Sequence, residues 1–128
     1  MKIAAAIARY LLGLMFFVFG LNSFLHFIPT GPMPSGPAGE FAGLLMSTHY
    51  MQAVGAVMVL SAVLLLINRF VALGLTLLAP VLVNILLFHL LMQPNTIGAG
   101  VVATLLWLLV AWHVRPAFAG LFEPQVKD

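Results

Sequence analysis

The stretch "YMQAVGAVMVLSAVLLLINRFVALGLTLLAPVLVNILLFHL", residues 50–90, decides the fold class. It contains two long apolar runs separated by Asn68 and Arg69, and within each run apolar side chains occupy every face of a helix. A membrane-spanning β-strand would instead need polar and apolar residues that alternate over about ten positions. The stretch therefore predicts two helices that are surrounded by protein or lipid along their whole length.

The rest of the chain has the same character. It has 128 residues, of which 63% are hydrophobic and 6% charged, and a mean hydropathy of +1.17. Soluble domains carry roughly 25% charged residues, and a helix needs about 20 apolar residues to cross a bilayer core. The sequence predicts an all-α integral membrane four-helix bundle, a single domain over 1–128, with spanning helices at about 3–27, 50–67, 70–92 and 97–114.

The basic residues predict the orientation of these helices. Lys2 and Arg9 lie at the start of the first helix, Arg69 lies between the second and third, and Arg115 and Lys127 follow the fourth. All of them fall on one side of the predicted membrane, so the positive-inside rule places both termini in the cytoplasm. The Arg9 side chain is expected to extend along its helix to the membrane interface.

Two segments lie outside the predicted spans, an outer loop at 28–49 and a cytoplasmic tail at 115–128. The loop opens with "PTGPMPSGP", whose prolines and glycines do not sustain a helix. It continues with "AGEFAGLLMS", in which Phe41, Leu44 and Leu45 share one helical face. We therefore expect a short amphipathic helix at the outer surface.

Composition and motifs exclude several classes of function. The chain has no cysteine, so it carries no disulfide, thiolate metal site, iron–sulfur cluster or thiol relay to quinone. It has no nucleophile elbow, phosphate loop or close carboxylate pair, so no catalytic residue is predicted, and whether the protein is an enzyme stays open. The basic residues at helix ends are explained by membrane topology and predict no nucleic-acid partner.

A few polar side chains lie inside the predicted spans, where an unpaired polar group is costly. Counting about 1.5 Å per residue from the helix centres, two asparagines lie about 6 to 8 Å and two histidines about 13 Å towards the outside. A further histidine and a glutamine begin the second helix at that level. The six candidates of the outer half are Asn22, His26, His49, Gln52, Asn84 and His89.

Three interpretations of these residues stay open. In the first, the amides bridge helices, each contributing about 0.6 to 2 kcal/mol, and the histidines contact water or headgroups. In the second, they bind a polar-headed lipophilic molecule such as quinone; Asn22, Asn84 and His89 donate hydrogen bonds and the other three line the mouth. In the third they hold haem or a metal ion, but the histidine spacing and the lack of carboxylates within the spans disfavour this, so no metal ligand is predicted.

The first helix carries two different faces. Gly13 and Gly20 lie on one, and glycines there suit the close approach of another helix. Asn22 lies about 160° and His26 about 120° from Gly20 around the helix axis. If the glycine face packs inside the bundle, the second face must contact the outer loop, another protomer, a partner subunit or a lipid-like ligand.

Two stretches resemble the DoxX-like family of small bacterial four-helix membrane proteins. They are "ARYLLGLMFFVFGLNSF", residues 8–24, and the 50–90 stretch with its small-residue-rich entry, tight arginine turn and late histidine. The resemblance covers about residues 8–115. The residues that match the family pattern are Arg9, Gly13, Gly20, Asn22, Gly55, Arg69 and His89.

The resemblance implies a location in the bacterial inner (cytoplasmic) membrane and a link to quinone-coupled respiratory or sulfur-oxidising enzymes. Ser23 and Gln52 stand where DoxX-like proteins often have lysine and glutamate, so chemistry that depends on that charged pair is not carried over. Our hypothesis is an accessory subunit of a redox or respiratory assembly that binds quinone and contacts the lipid bilayer and other membrane subunits or a second copy. The alternative is a purely structural or assembly subunit with no ligand of its own.

Overall fold

The computed structural model describes residues 1–29 and 31–128, and within these ranges it contains helices and turns but no strand. This confirms the all-helical prediction for the described residues, and the four long helices begin and end within two residues of the predicted spans. Two 3-10 helices cover Pro94–Thr96 and Arg115–Phe122. The five α-helices are α1 (Lys2–Leu25), α2 (Pro37–Ser47), α3 (Tyr50–Leu66), α4 (Val71–Met92) and α5 (Gly98–His113).

The helices differ in their capacity to cross a membrane. By length and composition, α1 and α4 are each long and apolar enough to cross a membrane as a single helix. The shorter α3 follows α2 at a bend of 78°, and α5 precedes the C-terminal 3-10 helix at a bend of 82°. Within the part of the chain that the structure describes, two helices are therefore long and apolar enough to span a membrane, or up to four if each bent pair forms one span.

The four long helices pack in a ring in which α1 and α4 each contact α3 and α5, while α2 lies against α3 and α4. Short connections make α3, α4 and α5 successively antiparallel, and α1 runs antiparallel to α3, since Gly20 lies beside Gly55 and Gly13 beside Leu66. Consequently the start of α1, the turn between α3 and α4, and the end of α5 lie at one end of the bundle. We call this the basic end, because it holds Lys2, Arg69 and Arg115, and we call the opposite end, with α2 and the connection from α4 to α5, the loop end.

The most completely buried side chains lie towards the basic end. Leu12, Leu65, Leu75, Leu78 and Val110 are each at most 1% exposed, and they belong to all four long helices. Many other large apolar side chains point outwards from the ring, as expected for helices that face lipid rather than water. The basic half of the bundle is thus a closed apolar core.

Close approach of α1 and α3 depends on glycine. A Cβ atom on Gly55 would overlap Ser23 Oγ and lie 2.9 Å from the Gly20 carbonyl oxygen, and a Cβ on Gly20 would lie 2.9 Å from the Gly55 oxygen. Gly13 and Gly20 are both buried. The glycine face of α1 therefore packs inside the bundle, against α3.

The expectation that Arg9 extends to the interface is wrong. Its side chain is buried, its guanidinium donates a hydrogen bond to the Leu65 carbonyl, and it stacks on the Tyr10 ring at 4.3 Å. Leu65 lies in the last turn of α3, where free carbonyls and the helix dipole favour a positive charge. Arg9 reaches this turn because it shares the α1 face that packs against α3.

Trp107 ties α5 to α4. Its indole N–H donates to the Leu75 carbonyl oxygen at 2.9 Å, a bond between residues 32 positions apart in sequence. Among the described residues, every fully buried side-chain nitrogen or oxygen has a hydrogen-bond partner. The basic half of the bundle therefore satisfies its polar groups internally.

The short helix predicted for the outer loop is present as α2. Its predicted apolar face is only partly covered: Leu44 is 63% exposed, and Leu45 is half-buried. Phe41 stacks on Phe88 of α4 with ring centroids 5.7 Å apart, and Ala38 is buried. α2 is thus attached to the loop end through one aromatic pair and its first turn.

Candidate functional site

The loop end contains a cavity of about 640 Å³. All four long helices contribute to its walls, and α2 and the loop after α1 form part of its rim. Phe16, Met58 and Ala103 line it and are buried, so its inner part is apolar. This volume lies within the range of small-molecule sites, which are mostly apolar with a few placed polar groups.

Methionines make up much of the apolar lining. Met15 of α1, Met46 of α2, and Met51 and Met58 of α3 all line the cavity. The methionine side chain is unbranched and polarisable, so it fits irregular apolar shapes and adapts to different ones. The cavity wall can therefore adjust to differently shaped occupants.

Five of the six polar candidates line this cavity although they are far apart in sequence. One lies in α1, one directly after α1, one directly before α3, one in the first turn of α3 and one near the end of α4. They are Asn22, His26, His49, Gln52 and His89.

Asn84 does not line this cavity, although the quinone interpretation has it donate a hydrogen bond to the ligand together with Asn22 and His89. Its side chain is exposed, and its amide nitrogen donates to the Pro80 carbonyl of the same helix at 2.8 Å. Asn84 and His89 are five residues apart, or about 140° around the helix axis, so they cannot share a face. Of these two residues, only His89 lines the cavity.

Asn22 does not bridge two helices but stabilises the C-terminal end of α1. Its Oδ1 accepts the Ile28 backbone N–H at 2.8 Å, and its backbone carbonyl accepts the His26 N–H at 3.0 Å. His26 has a left-handed backbone with φ of 51°, which turns the chain back over α1. The interpretation that the two asparagines join helices is therefore wrong, and the Asn22 face contacts the folded-back loop and the cavity.

The bond at Asn22 also defines which hydrogen bonds remain for a ligand. A backbone N–H must be accepted by the amide oxygen, so the Asn22 side chain keeps its NH₂ group as a donor. Gln52 is half-buried and adds a second amide to the lining. Amides in a largely apolar wall suit the oxygen atoms of a polar head group.

His89 is oriented by its own helix. Its Nδ1 donates to the Ile85 carbonyl at 2.8 Å, and its ring packs edge-on against Phe88, with centroids 5.1 Å apart. A carbonyl oxygen only accepts, so the proton lies on Nδ1, and Nε2 of the neutral ring is an acceptor. In this arrangement the neutral ring offers a ligand an acceptor, whereas the sequence predicted a donor.

His26 and His49 stand at the two ends of the loop that covers the cavity. His26 caps the C-terminus of α1 and His49 the N-terminus of α3, both with a left-handed backbone and both exposed. Because both line the cavity, they lie where it meets its surroundings.

Ser23 also lines the cavity, although it was not among the six candidates. Its hydroxyl donates to the Gly20 carbonyl at 2.6 Å, which leaves the oxygen lone pairs as acceptors. Its position next to Asn22 and three residues before His26 is the signal that could have identified it.

The cavity shares a wall with an apolar groove. Met15 and Phe19 line both, and the groove runs over the outer surface between α1 and α5. The other groove residues are all aliphatic, namely Leu11, Leu14, Val18, Val102 and Leu106. The arrangement places a cavity with a few polar side chains beside an entirely apolar groove, which suits a molecule with a polar head and an apolar tail.

Within residues 1–29 and 31–128, no three His, Cys, Asp or Glu side chains lie close enough together to hold a metal ion. The cavity lining includes histidines but no carboxylate. The groups available to a ligand are thus hydrogen-bonding amides, imidazoles and a hydroxyl.

Comparison with known proteins identifies a relative over nearly the whole chain. The sequence is 30% identical over 136 aligned positions to the uncharacterized protein YwoB of Bacillus subtilis (strain 168), an alignment that covers 99% of this chain and 87% of YwoB. No family model and no solved structure matches the chain. The length and identity of the match to YwoB show that this chain belongs to the YwoB family.

Proposed function

We propose that the protein is a DoxX-like, four-pass protein of the bacterial inner membrane that binds a quinone-class ligand in the loop-end cavity. It acts there as an accessory subunit of a redox or respiratory membrane assembly. The apolar character of α1 and α4 and of the two bent helix pairs supports the four passes. The gathering of Lys2, Arg69 and Arg115 at one end supports cytoplasmic termini.

The observation that carries the ligand proposal is the shared wall between the cavity and the groove. A membrane quinone has an oxygen-bearing ring and a long apolar tail. Asn22 and Gln52, on the neighbouring helices α1 and α3, offer amide groups to the ring oxygen on that side of the cavity, while Met15 and Phe19 line both the cavity that would hold the ring and the groove that would hold the tail. An aqueous metabolite would gain nothing from this apolar exit.

The accessory role follows from what the chain can supply. It has no cysteine for a thiol relay or an iron–sulfur cluster. Its residues can bind and orient a quinone head but need a partner subunit to deliver or remove electrons. We therefore expect the partner to be another membrane protein that binds to the lipid-facing or the loop-end surface.

Extraction of quinone from purified protein tests the ligand. Full-length protein in mild detergent should carry quinone well above the amount in the co-purified lipid, and Gln52→Leu should lose most of it. Asn84→Leu is the matched control, because Asn84 lies outside the cavity, and it should retain the quinone. Equal background amounts in all three samples would reject the site and favour the structural alternative.

Cysteine labelling tests the orientation, since the chain has no native cysteine. Ser35→Cys in the loop and Val126→Cys in the tail both introduce an exposed thiol. In intact cells a membrane-impermeant maleimide should label the loop position and not the tail position. Labelling of the tail position without disruption of the cells would contradict cytoplasmic termini.

A further inference from the structure

We infer that the cavity binds the reduced, hydroxyl-bearing form of its quinone-class ligand more tightly than the oxidised form, and that His89 sets this preference. The inference rests on the proposed function, which it extends from a ligand class to one redox form. It depends on which hydrogen-bond donors and acceptors the cavity has left after its internal bonds are made.

His89 supplies an acceptor. The bond from Nδ1 to the Ile85 carbonyl, at 2.8 Å, holds the ring proton on that nitrogen. The edge-on contact with Phe88 fixes the ring plane. Since His89 lines the cavity, its remaining nitrogen, Nε2, meets the ligand as a lone pair while the ring is neutral.

Asn22 supplies a donor. Its Oδ1 is used by the Ile28 N–H, so its NH₂ group is the part that remains for the cavity. α1 and α4 occupy diagonal positions in the ring of helices, each between α3 and α5. Asn22 and His89 therefore lie in different walls of the cavity, and each would form a hydrogen bond with a different oxygen of a bound ring.

A quinol satisfies both residues. One hydroxyl donates a hydrogen bond to His89 Nε2, and the oxygen of the other hydroxyl accepts a hydrogen bond from the Asn22 NH₂ group. A quinone has carbonyl oxygens only, so it pairs with Asn22 but places an oxygen lone pair against Nε2. Leaving one acceptor unpaired in a site of this kind corresponds to about a tenfold or greater loss of affinity.

The test compares the two forms on the same protein. Dissociation constants of decylubiquinol and decylubiquinone are measured anaerobically on full-length protein in detergent. We expect decylubiquinol to bind about tenfold more tightly. Equal affinities, or tighter binding of decylubiquinone, would overturn the inference while leaving the proposed function intact, whereas absence of binding by both forms would overturn both.

Two variants assign the preference to residues. His89→Phe should remove the difference between the two forms, because the side chain then neither accepts a hydrogen bond from decylubiquinol nor places a lone pair against decylubiquinone. Asn22→Asp keeps an oxygen to accept the Ile28 N–H but removes the donor, and should weaken decylubiquinone more than decylubiquinol. If His89→Phe retains the full preference for decylubiquinol while circular dichroism shows an unchanged fold, His89 is not the residue that sets it.

Discussion

The basic end and the loop end of the bundle treat polar groups in opposite ways. At the basic end, Arg9 and Trp107 donate to backbone carbonyls of neighbouring helices, and the surrounding leucines are fully buried. At the loop end, Asn22 and His89 bond to carbonyl or N–H groups of their own segment, and each keeps one group for the cavity. At the basic end the polar groups are thus hydrogen-bonded within a closed core, whereas at the loop end a cavity leaves hydrogen-bonding groups available to a ligand.

This difference separates stability from binding. Cross-helix bonds at the basic end resist separation of the helices, so changes there should mainly lower stability. Local bonds at the loop end orient side chains without joining helices, so changes there should mainly alter binding. Four substitutions test the separation, in order of decreasing effect on stability.

The largest effect is expected for Arg9→Glu. The new carboxylate would be buried beside the Leu65 carbonyl at the negative end of α3, with no donor to pair it. We expect a loss of about 3 kcal/mol or more of unfolding free energy, measured by thermal unfolding in detergent. Lys2→Glu makes the same charge change at an exposed position and should have little effect; equal losses would contradict the role of Arg9.

Gly55→Ala should follow, since Gly55, although it lies in the loop-end half, belongs to the contact between α1 and α3 and not to the cavity lining. The added Cβ overlaps Ser23 Oγ and crowds the Gly20 carbonyl, so α1 and α3 must separate. Overpacking of this kind costs about 1 to 3 kcal/mol. Gly98→Ala is the control, because a Cβ there meets nothing within 4 Å, and it should unfold like the parent protein. Similar unfolding of both variants would show that the contact between α1 and α3 is not limiting.

Trp107→Phe removes one hydrogen bond between α5 and α4 while keeping an aromatic ring. The expected loss of unfolding free energy is about 1 kcal/mol. Trp112→Phe is the matched control, since Trp112 is 61% exposed and its ring contacts only the Arg115 guanidinium among the stacking pairs of the described residues. A larger loss for Trp112→Phe would contradict the assignment.

The smallest stability effect and the clearest binding effect are expected for Val102→Trp. Val102 is half-exposed in the groove but does not line the cavity, so the indole fills the groove and leaves the fold within about 0.5 kcal/mol of the parent. A long-tailed quinone should bind several-fold more weakly, while a short-tailed one should be unaffected. Leu105→Trp, exposed on the same helix and outside the groove, should change neither.

Much of the fold could be predicted from the sequence, because uninterrupted apolar runs leave little choice of element and turn residues mark their ends. Counting residues also gives each side chain a depth along its helix, which is how five of the cavity residues were found. Depth says nothing about rotation around the axis, however. Asn84 lies at a depth similar to that of Asn22 but faces outwards.

Bonds to backbone carbonyls were the other feature that the sequence did not reveal. Arg9 pairs with Leu65, Trp107 with Leu75 and His89 with Ile85, and every residue type offers the same carbonyl. Side-chain patterns alone therefore cannot identify such partners. The same limit explains why His89 was expected to donate a hydrogen bond, when its own helix uses the donor.

The most direct test of the account is photo-crosslinking with an azidoquinone on the full-length protein in membranes, followed by mapping of the modified peptides. The account predicts adducts in the cavity wall, on the segments around Met15, Met46 and Met58. Adducts concentrated at the basic end, or spread evenly over the lipid-facing surfaces of all helices, would contradict a quinone site at the loop end.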